Sequence, residues 1–511
     1  MSESVAIAPS AGKGNGLFAK TAFAAGTEVL TIPAPLVVIA DDAHLSETCA
    51  HCFTWKPEGS IHSYYSSETP LQQCTGCKTV RYCSKACQRD DWRLVHKKEC
   101  EIFKRLPHVL PGSVRALNRL LLLQPSLPAT TWAALMDMQH HAADFQKLEH
   151  WEIIVNGAKA AHAFSQTGLP EPMVLRLYCT MLVNMLTFST PTLDPIGMCF
   201  DPTAAMANHS CQPNAFIVFS GRSLHLRSLT DIPKDTEITI AYTSTTDPSS
   251  TRQQELQTRW YFTCTCPVCS IGPYALTDVY ICPACKRTSI PDDSTMQCPA
   301  CNHQAKAFSM PKDLDLSFLW RTGYLEPTRT PLPTMHEETM QRLLTEGDYK
   351  EALRHQMLLC SLVYPISYRQ PHHPVRVTAD FVLIALMLEV LHDPGNDLIR
   401  YSIDWAKVVW AGLQMVCVAV VGSHGEDSGF ARAVREKRDE VRKDLTKAGF
   451  DWLDKPEKYQ GEVKKLKLLV NDFVKELKEK PESKVSATLE RMQGDNFYSP
   501  KAREVLGGRG Y

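Results

Sequence analysis

What most constrains the folding of this chain is the pairing of its cysteines. Nineteen occur in 511 residues, and fourteen of them fall into three close-spaced groups. The first group is Cys49-x2-Cys52, Cys74-x2-Cys77, Cys83-x3-Cys87 and His96-x3-Cys100. Seven thiols and one imidazole in four pairs are enough for two tetrahedral zinc ions. Close pairs suit zinc because a tight turn presents two ligands at once, leaving loop closure only between pairs. The second group, Cys264-x-Cys266-x2-Cys269, supplies three ligands where a closed site wants four; Cys211 is a candidate for the fourth. The third, Cys282-x2-Cys285 with Cys298-x2-Cys301, is a self-contained ribbon around the polar turn PDDST. Cys179, Cys199, Cys360 and Cys417 sit in apolar surroundings and are expected to act as small core residues. The N-terminus, MSESVAIAPSAGKGNG, has no apolar signal-peptide core. Metal thiolates are therefore expected rather than disulfides.

Charge counting agrees. Seven thiolates and two zinc ions sum to −7 + 4 = −3. Between Cys74 and Cys100 stand Lys78, Arg81, Lys85, Arg89, Arg93, Lys97 and Lys98 against Asp90, Asp91 and Glu99, a local 7 − 3 = +4. The basic residues can offset the clusters. The whole chain carries −1, so bulk attraction to nucleic acid is not implied. The proportions, 44% hydrophobic and 22% charged, are those of a soluble globular protein, and the length implies two to four structural units. The most apolar stretch, Val408 to Val421, is interrupted by Gln414 and is shorter than the ~20 residues that span a bilayer. A buried helix is expected there, and no membrane association.

Residues 201–214 read DPTAAMANHSCQPN, with Asn208 to Asn214 forming NHSCxPN. A helix-compatible run, Ala204 to Ala207, precedes the string. Alternating segments FIVFSG, LHLRSL and EITIAY follow it, the last ending at Tyr242, and then comes the Cys264 group. This combination resembles the SET fold of protein lysine methyltransferases with its post-SET cysteine cluster. The four pairs between 49 and 100 resemble a MYND zinc finger, so the chain resembles the SET and MYND (SMYD-type) family. The resemblance puts Cys49, Cys52, Cys83 and Cys87 on one zinc and Cys74, Cys77, His96 and Cys100 on a second. It puts Cys211 with Cys264, Cys266 and Cys269 on a third. With the ribbon, four zinc ions are expected. The loop Phe53 to Gln73, which carries Trp55, Tyr64 and Tyr65, is longer than the family usually has.

The string Gly12-Lys13-Gly14-Asn15-Gly16-Leu17-Phe18-Ala19 is followed by strand-like EVLTI and LVVIA, without the helix a phosphate-cradling loop needs. It resembles the first turn of SET proteins, where the backbone approaches S-adenosylmethionine. By resemblance, Lys13, Asn15, Asn184, Asn208 and His209 surround that cofactor and Phe262 stacks near its adenine. Tyr242 is then the catalytic-site tyrosine. Trp260 stands where the family often has a second channel tyrosine, with Tyr261 beside it. The activity implied is transfer of a methyl group to a lysine of a histone or non-histone protein, in the nucleus and cytoplasm and in chromatin regulation. A proline-rich peptide is a further expected partner, at the finger, and the expected state is a monomer. The alternative is a non-catalytic scaffold that recruits proline-rich partners in transcriptional regulation.

The fold class expected is α+β. A split SET β-fold occupies residues 1–48 and 191–245, with the finger at 49–100 and a helical insert at 101–190. A post-SET segment (246–270), a zinc ribbon (271–310) and an all-α TPR-like domain (311–511) complete the layout. The helical assignments rest on apolar stripes: Leu117, Leu120 and Leu121; Leu175, Tyr178, Leu182 and Met185; Leu353, Met357, Cys360 and Val363 after GDYKEAL; Val382, Leu386, Met387 and Val390; Phe430, Val434, Val441 and Leu445; and Val463, Leu466, Phe473 and Leu477. No clean repeat is visible, so a divergent helical array is expected, with KKLK at Lys464–Lys467 on a solvated face.

Overall fold

The computed structural model describes residues 4–56, 70–272, 278–291, 295–305, 316–323, 325–392 and 402–479. Tyr64, Tyr65 and the tip of the PDDST turn lie outside them. The described chain divides into a first unit, up to Thr243 with Glu255–Thr263, and a second, Ser244–Gln254 with the described residues from Cys264 to Glu479.

In the first unit, β1 (Val5–Ser10) and β2 (Gly14–Ala19) form a hairpin. Its turn needs φ +72° at Gly12 and +78° at Gly14, which residues with a Cβ rarely adopt. Strands β3 (Glu28–Ile32) and β4 (Val37–Ala40) follow, then the finger's β5 (Gln72–Gln73) and β6 (Arg81–Tyr82). After the helical insert come β7 (Leu186–Ser189), β8 (Pro195–Phe200), β9 (Asn208–His209), β10 (Ala215–Ser220), β11 (Ser223–Ser228) and β12 (Glu237–Ile240). Apart from the finger's β5–β6 pair, they build three small sheets, ordered β1-β2-β12-β9, β10-β11-β3 and β4-β8-β7. Leu17, Leu30, Leu226, Ile238 and Ile240 share one core, which is how strands from both ends of the unit are held together. β9 and β12 run parallel, with Asn208 opposite Thr239 and His209 opposite Ile240.

Two expectations differ here. The helical insert stops at Asn184, because Leu186 to Ser189 is β7, paired antiparallel with Cys199 to Pro195 of β8. Thr and Phe favour a pleated surface, and Phe188 is buried there. The last strand also stops at Ile240, two residues short of Tyr242. Its partner β9 is only two residues long, and the Tyr242 backbone N–H turns to the His209 ring instead. Upstream, helices Gly112–Leu123, Trp151–Ser165 and Glu171–Asn184 bury Leu117, Leu120, Leu121, Tyr178 and Met181 in one core.

In the second unit, β13 (Val279–Ile281) and β14 (Thr288–Pro291) form the ribbon hairpin. Gly347, at φ +79°, ends helix Leu332–Glu346, and Asp348 caps helix Tyr349–Leu358 by accepting Glu351 N at 3.1 Å. GDYKEAL is thus the bend of a helical hairpin. Helices Pro374–His392, Trp405–His424, Gly429–Lys447 and Leu466–Glu479 continue the array. The apolar segment departs from expectation. It is a 20-residue helix with the length and apolarity of a membrane span, and 44% of its apolar window is buried. Trp410, Leu413 and Val420 pack inward, while Met415, Val418 and Val421 are exposed. Helical periodicity distributes its apolar residues over both faces, so among the described residues one face remains uncovered.

Candidate active site and metal centres

Local devices present the finger's ligands. A turn carries Cys49 and Cys52, the β5–β6 hairpin carries Cys74 and Cys77, and helix Lys85–Asp91 carries Cys87. Ser84 starts that helix by accepting Cys87 N at 3.1 Å. Cys49, Cys52, Cys83 and Cys87 form one cluster and Cys74, Cys77, His96 and Cys100 the other, with ligand atoms in each within 4.8 Å of one another. Sulfur separations are 3.5 Å for Cys52–Cys83, 3.5 Å for Cys83–Cys87 and 3.9 Å for Cys74–Cys100. Thiolates at ~2.3 Å in a tetrahedron around zinc stand about 3.8 Å apart. The spacing fits shared metal and is too long for disulfides. The ribbon behaves alike, with Cys282–Cys301 at 3.6 Å and Cys285–Cys298 at 3.7 Å.

Behind the second cluster lies a network that the sequence does not announce. His96 Nδ1 faces Glu99 Oε2 at 3.5 Å, and Glu99 accepts two bonds from Arg119, at 2.8 and 3.0 Å. Arg119 also donates to Asp91 at 3.0 Å and to the Val38 carbonyl at 3.2 Å, while the Tyr82 hydroxyl donates to Asp91 at 2.8 Å. Burial alone would raise the Glu99 carboxyl, but Arg119 and His96 overrule it and hold it down to about 2. Asp91 and Glu99 are thus internal counterions of Arg119.

In the second unit, Cys264, Cys266 and Cys269 gather within 4.8 Å of one another. Gln253 clamps Cys264, its Oε1 accepting Cys264 N at 2.9 Å and its Nε2 donating to Cys264 O at 2.7 Å. Gln253 lies on helix Ser249–Arg259, an element that no apolar stripe foretold. Cys211 belongs to the first unit, where its sulfur is 3.3 Å from His209 Nε2.

Two of the residues expected around a cofactor, Lys13 and Asn208, meet on Glu237, which opens β12. Asn208 Nδ2 donates to Glu237 Oε1 at 2.8 Å and to Asn15 O at 3.1 Å. Ser10 Oγ donates to Glu237 Oε1 at 2.8 Å, and Lys13 Nζ pairs with Oε2 at 3.2 Å. Burial opposes ionisation of Glu237, but bonds from Asn208 and Ser10 and the charge of Lys13 lower its pKa. Asn15 Nδ2 reaches Asp137 at 3.4 Å; Asn184 Nδ2 donates to Thr180 O at 2.8 Å and Gln139 O at 2.9 Å. The side chain of Asn184 therefore holds the end of its own helix. His209 is buried, and its Nδ1 accepts Tyr242 N at 2.9 Å.

Tyr242 donates its hydroxyl to the Ala207 carbonyl at 2.9 Å. Burial first, and then the charge of Glu237, raise the phenol's pKa, so it stays protonated. Its ring lies 5.2 Å from Trp260 and 6.4 Å from Phe262, and His209 is 6.1 Å from Phe262. The Arg259 guanidinium sits 4.4 Å over the Trp260 ring. Tyr261, at φ +61°, diverges from this group, stacking on His141 at 5.0 Å and meeting Phe145 at 5.6 Å. Of the two expected channel residues, Trp260 is the one beside Tyr242.

Residues 14–243 match the SET domain family. The chain is 34% identical over 236 residues to "SET domain and MYND-type zinc finger protein 6" of Schizosaccharomyces pombe, covering 46% of this chain and 45% of the relative. It is 29% identical to "N-lysine methyltransferase SMYD2-A" of Xenopus laevis, over 51% of this chain and 59% of the relative. Against "Histone-lysine N-methyltransferase ASHR1" of Arabidopsis thaliana the identity is 26%, over 50% and 53%. The chain spans about half the length of the curated relatives it matches. Residues 14–243 thus match a SET domain with a finger of two four-ligand clusters inserted in it, and over about half its length the chain is similar to SET and MYND-type proteins.

Proposed function

We propose that the chain is a protein-lysine N-methyltransferase that uses S-adenosylmethionine and acts on a lysine of a histone or non-histone protein. The observation that carries this reading is Tyr242: its hydroxyl is tied to Ala207 O and its ring is walled by Trp260, directly beside the Asn208–His209 strand. The cofactor would supply a methyl group on a positively charged sulfur, which also disfavours the ammonium form of a nearby lysine. The chain's own work is alignment. Because the Tyr242 proton is committed to Ala207, its oxygen is left as an acceptor for an amine N–H, which turns the amine's lone pair. Trp260 offers a π-face to the arriving ammonium. Lys13 and the carbonyl end of Asn208 suit the two charges of an amino-acid moiety, and Gly16, having no side chain, lets Glu237 and Asn208 pack against its backbone. A Cβ there would lie 2.7 Å from Glu237 Oε1.

The same proposal takes Cys211 as fourth ligand to Cys264, Cys266 and Cys269, a proline-rich peptide as a partner of the finger, and residence in nucleus and cytoplasm. Support for the activity comes from the relatives named as lysine methyltransferases. The test is methyl transfer from labelled cofactor to a protein library. Tyr242→Phe keeps the ring and deletes a hydrogen bond worth roughly 1.5–3 kcal/mol beside developing charge. Turnover should fall about ten- to a hundred-fold with cofactor affinity little changed. Equal turnover by the two proteins would remove Tyr242 from the mechanism. Cofactor binding by wild type with no transfer to any substrate would favour the scaffold.

A further inference from the structure

The amide of Asn208 has only one orientation compatible with its surroundings. Its Nδ2 is placed between two acceptors, Glu237 Oε1 at 2.8 Å and Asn15 O at 3.1 Å. Flipping the amide would set Oδ1 against a carboxylate and a carbonyl, with no hydrogen between any of them. Both N–H donors are therefore spent on the protein. Oδ1 makes no hydrogen bond among the described residues, so the amide presents a pure acceptor. Behind it stands the Glu237 carboxylate, held in place by Ser10 at 2.8 Å and Lys13 at 3.2 Å. An acceptor backed by a negative charge favours a cationic donor over a neutral one and repels an anion.

We propose that Glu237 is a positioning residue: it locks the flip of Asn208 so that its carbonyl meets the α-ammonium of the bound cofactor. This rests on the cofactor reading above and adds to it which end of the amino-acid moiety Asn208 faces, and why. Gly16 belongs to the same device. A Cβ added there would lie 2.7 Å from Glu237 Oε1, 3.0 Å from Asn208 Nδ2 and 3.1 Å from Ser10 Cβ, so no side chain fits without parting Glu237 from Asn208.

The experiment compares two ligands, S-adenosylhomocysteine and its analogue with hydrogen in place of the α-amino group, by calorimetric titration of the full chain. Wild type should prefer the amino compound. Glu237→Gln preserves volume but removes the charge, and its amide N–H can face Asn208 and drive the flip. It should bind S-adenosylhomocysteine at least about ten-fold more weakly, the loss of one charge-assisted hydrogen bond, while binding of the deamino analogue changes less than about three-fold. Gly16→Ala should move the same ratio in the same direction by a different route. Equal weakening of both ligands would mean a merely structural role and would overturn the proposal, as would unchanged affinities. Wild type that binds neither ligand would sink the cofactor reading itself, and this proposal with it.

Discussion

His209 shows how much one side chain settles at this site. Its Nδ1 accepts the Tyr242 N–H at 2.9 Å, so its proton resides on Nε2, which faces the Cys211 sulfur at 3.3 Å. One neutral imidazole thus sets the backbone of the proposed catalytic tyrosine and orients a proposed metal ligand. His209→Ala would orphan the Tyr242 N–H, a loss of about 1–3 kcal/mol. Thermal melting should show the reduced stability, and methyl transfer should fall with it; an unchanged melting temperature would refute the role. Tyr242, Asn208 and His209 were legible because they stand in or just after a specific string. Glu237 was not, because in sequence it is only an acid opening a strand. Its partners Asn208 and Ser10 lie 29 and 227 positions away, and no local pattern reports such a contact.

Elements are held together by buried polar pairs whose meaning appears only in three dimensions. Arg119, on helix Gly112–Leu123, ties the finger's Asp91 and Glu99 to the Val38 carbonyl of β4. Arg119→Met would leave two buried carboxylates without their cation, at a cost of about 3–5 kcal/mol. Denaturant unfolding should read that loss, and a shift under 1 kcal/mol, roughly the worth of an exposed pair, would show the network to be incidental. In the helical array, Trp320 Nε1–H donates to His336 Nε2 at 3.0 Å, so His336 Nδ1–H donates to His355 Nδ1 at 2.8 Å. Both rings are neutral in this chain of bonds. Burial first, then the neighbouring His355, push His336 down to about 3. Between pH ~6.5 and that value the unfolded state binds a proton that the folded state does not, so stability is lost as pH drops, by about 1.4 kcal/mol per unit. Above that window the group contributes no slope. Unfolding measured at pH 4.5, 5.5 and 7.5 should show the slope in wild type and its reduction in His336→Gln; identical slopes would exclude His336. The apolar stripes made the helices legible, since burial repeats every third or fourth residue. The strand β7 was hidden, because Leu186 to Ser189 continues an apolar run that only the pairing with β8 turns into a strand.

For the whole molecule, metal does what a single hydrophobic core cannot do for 511 residues in many short elements. The cysteine pairs were the most legible feature of all, because two ligands on one turn are a local pattern that spacing reports directly. Spacing alone reports less where a ligand set draws on distant segments, as with Cys211, which the resemblance rather than the spacing assigned. Cys49, Cys52, Cys83 and Cys87, then Cys74, Cys77, His96 and Cys100, then Cys282, Cys285, Cys298 and Cys301, each assemble within one unit. Cys264, Cys266 and Cys269 supply three ligands, and Cys211 is the proposed fourth. Elemental analysis of the purified chain should therefore return close to four zinc ions. Cys211→Ser and Cys285→Ser should each lower the count towards three, with different consequences. Structural zinc is worth on the order of 10–16 kcal/mol in small finger peptides, so each site's loss should unfold what it closes. For Cys285→Ser that is the ribbon between Val279 and Cys301, and cofactor binding should persist. For Cys211→Ser it is the segment that carries Asn208 and His209, so cofactor affinity should fall together with the zinc. A Cys211→Ser protein that keeps four zinc ions and wild-type affinity would remove Cys211 from the ligand set and leave the Cys264 group in need of another fourth ligand.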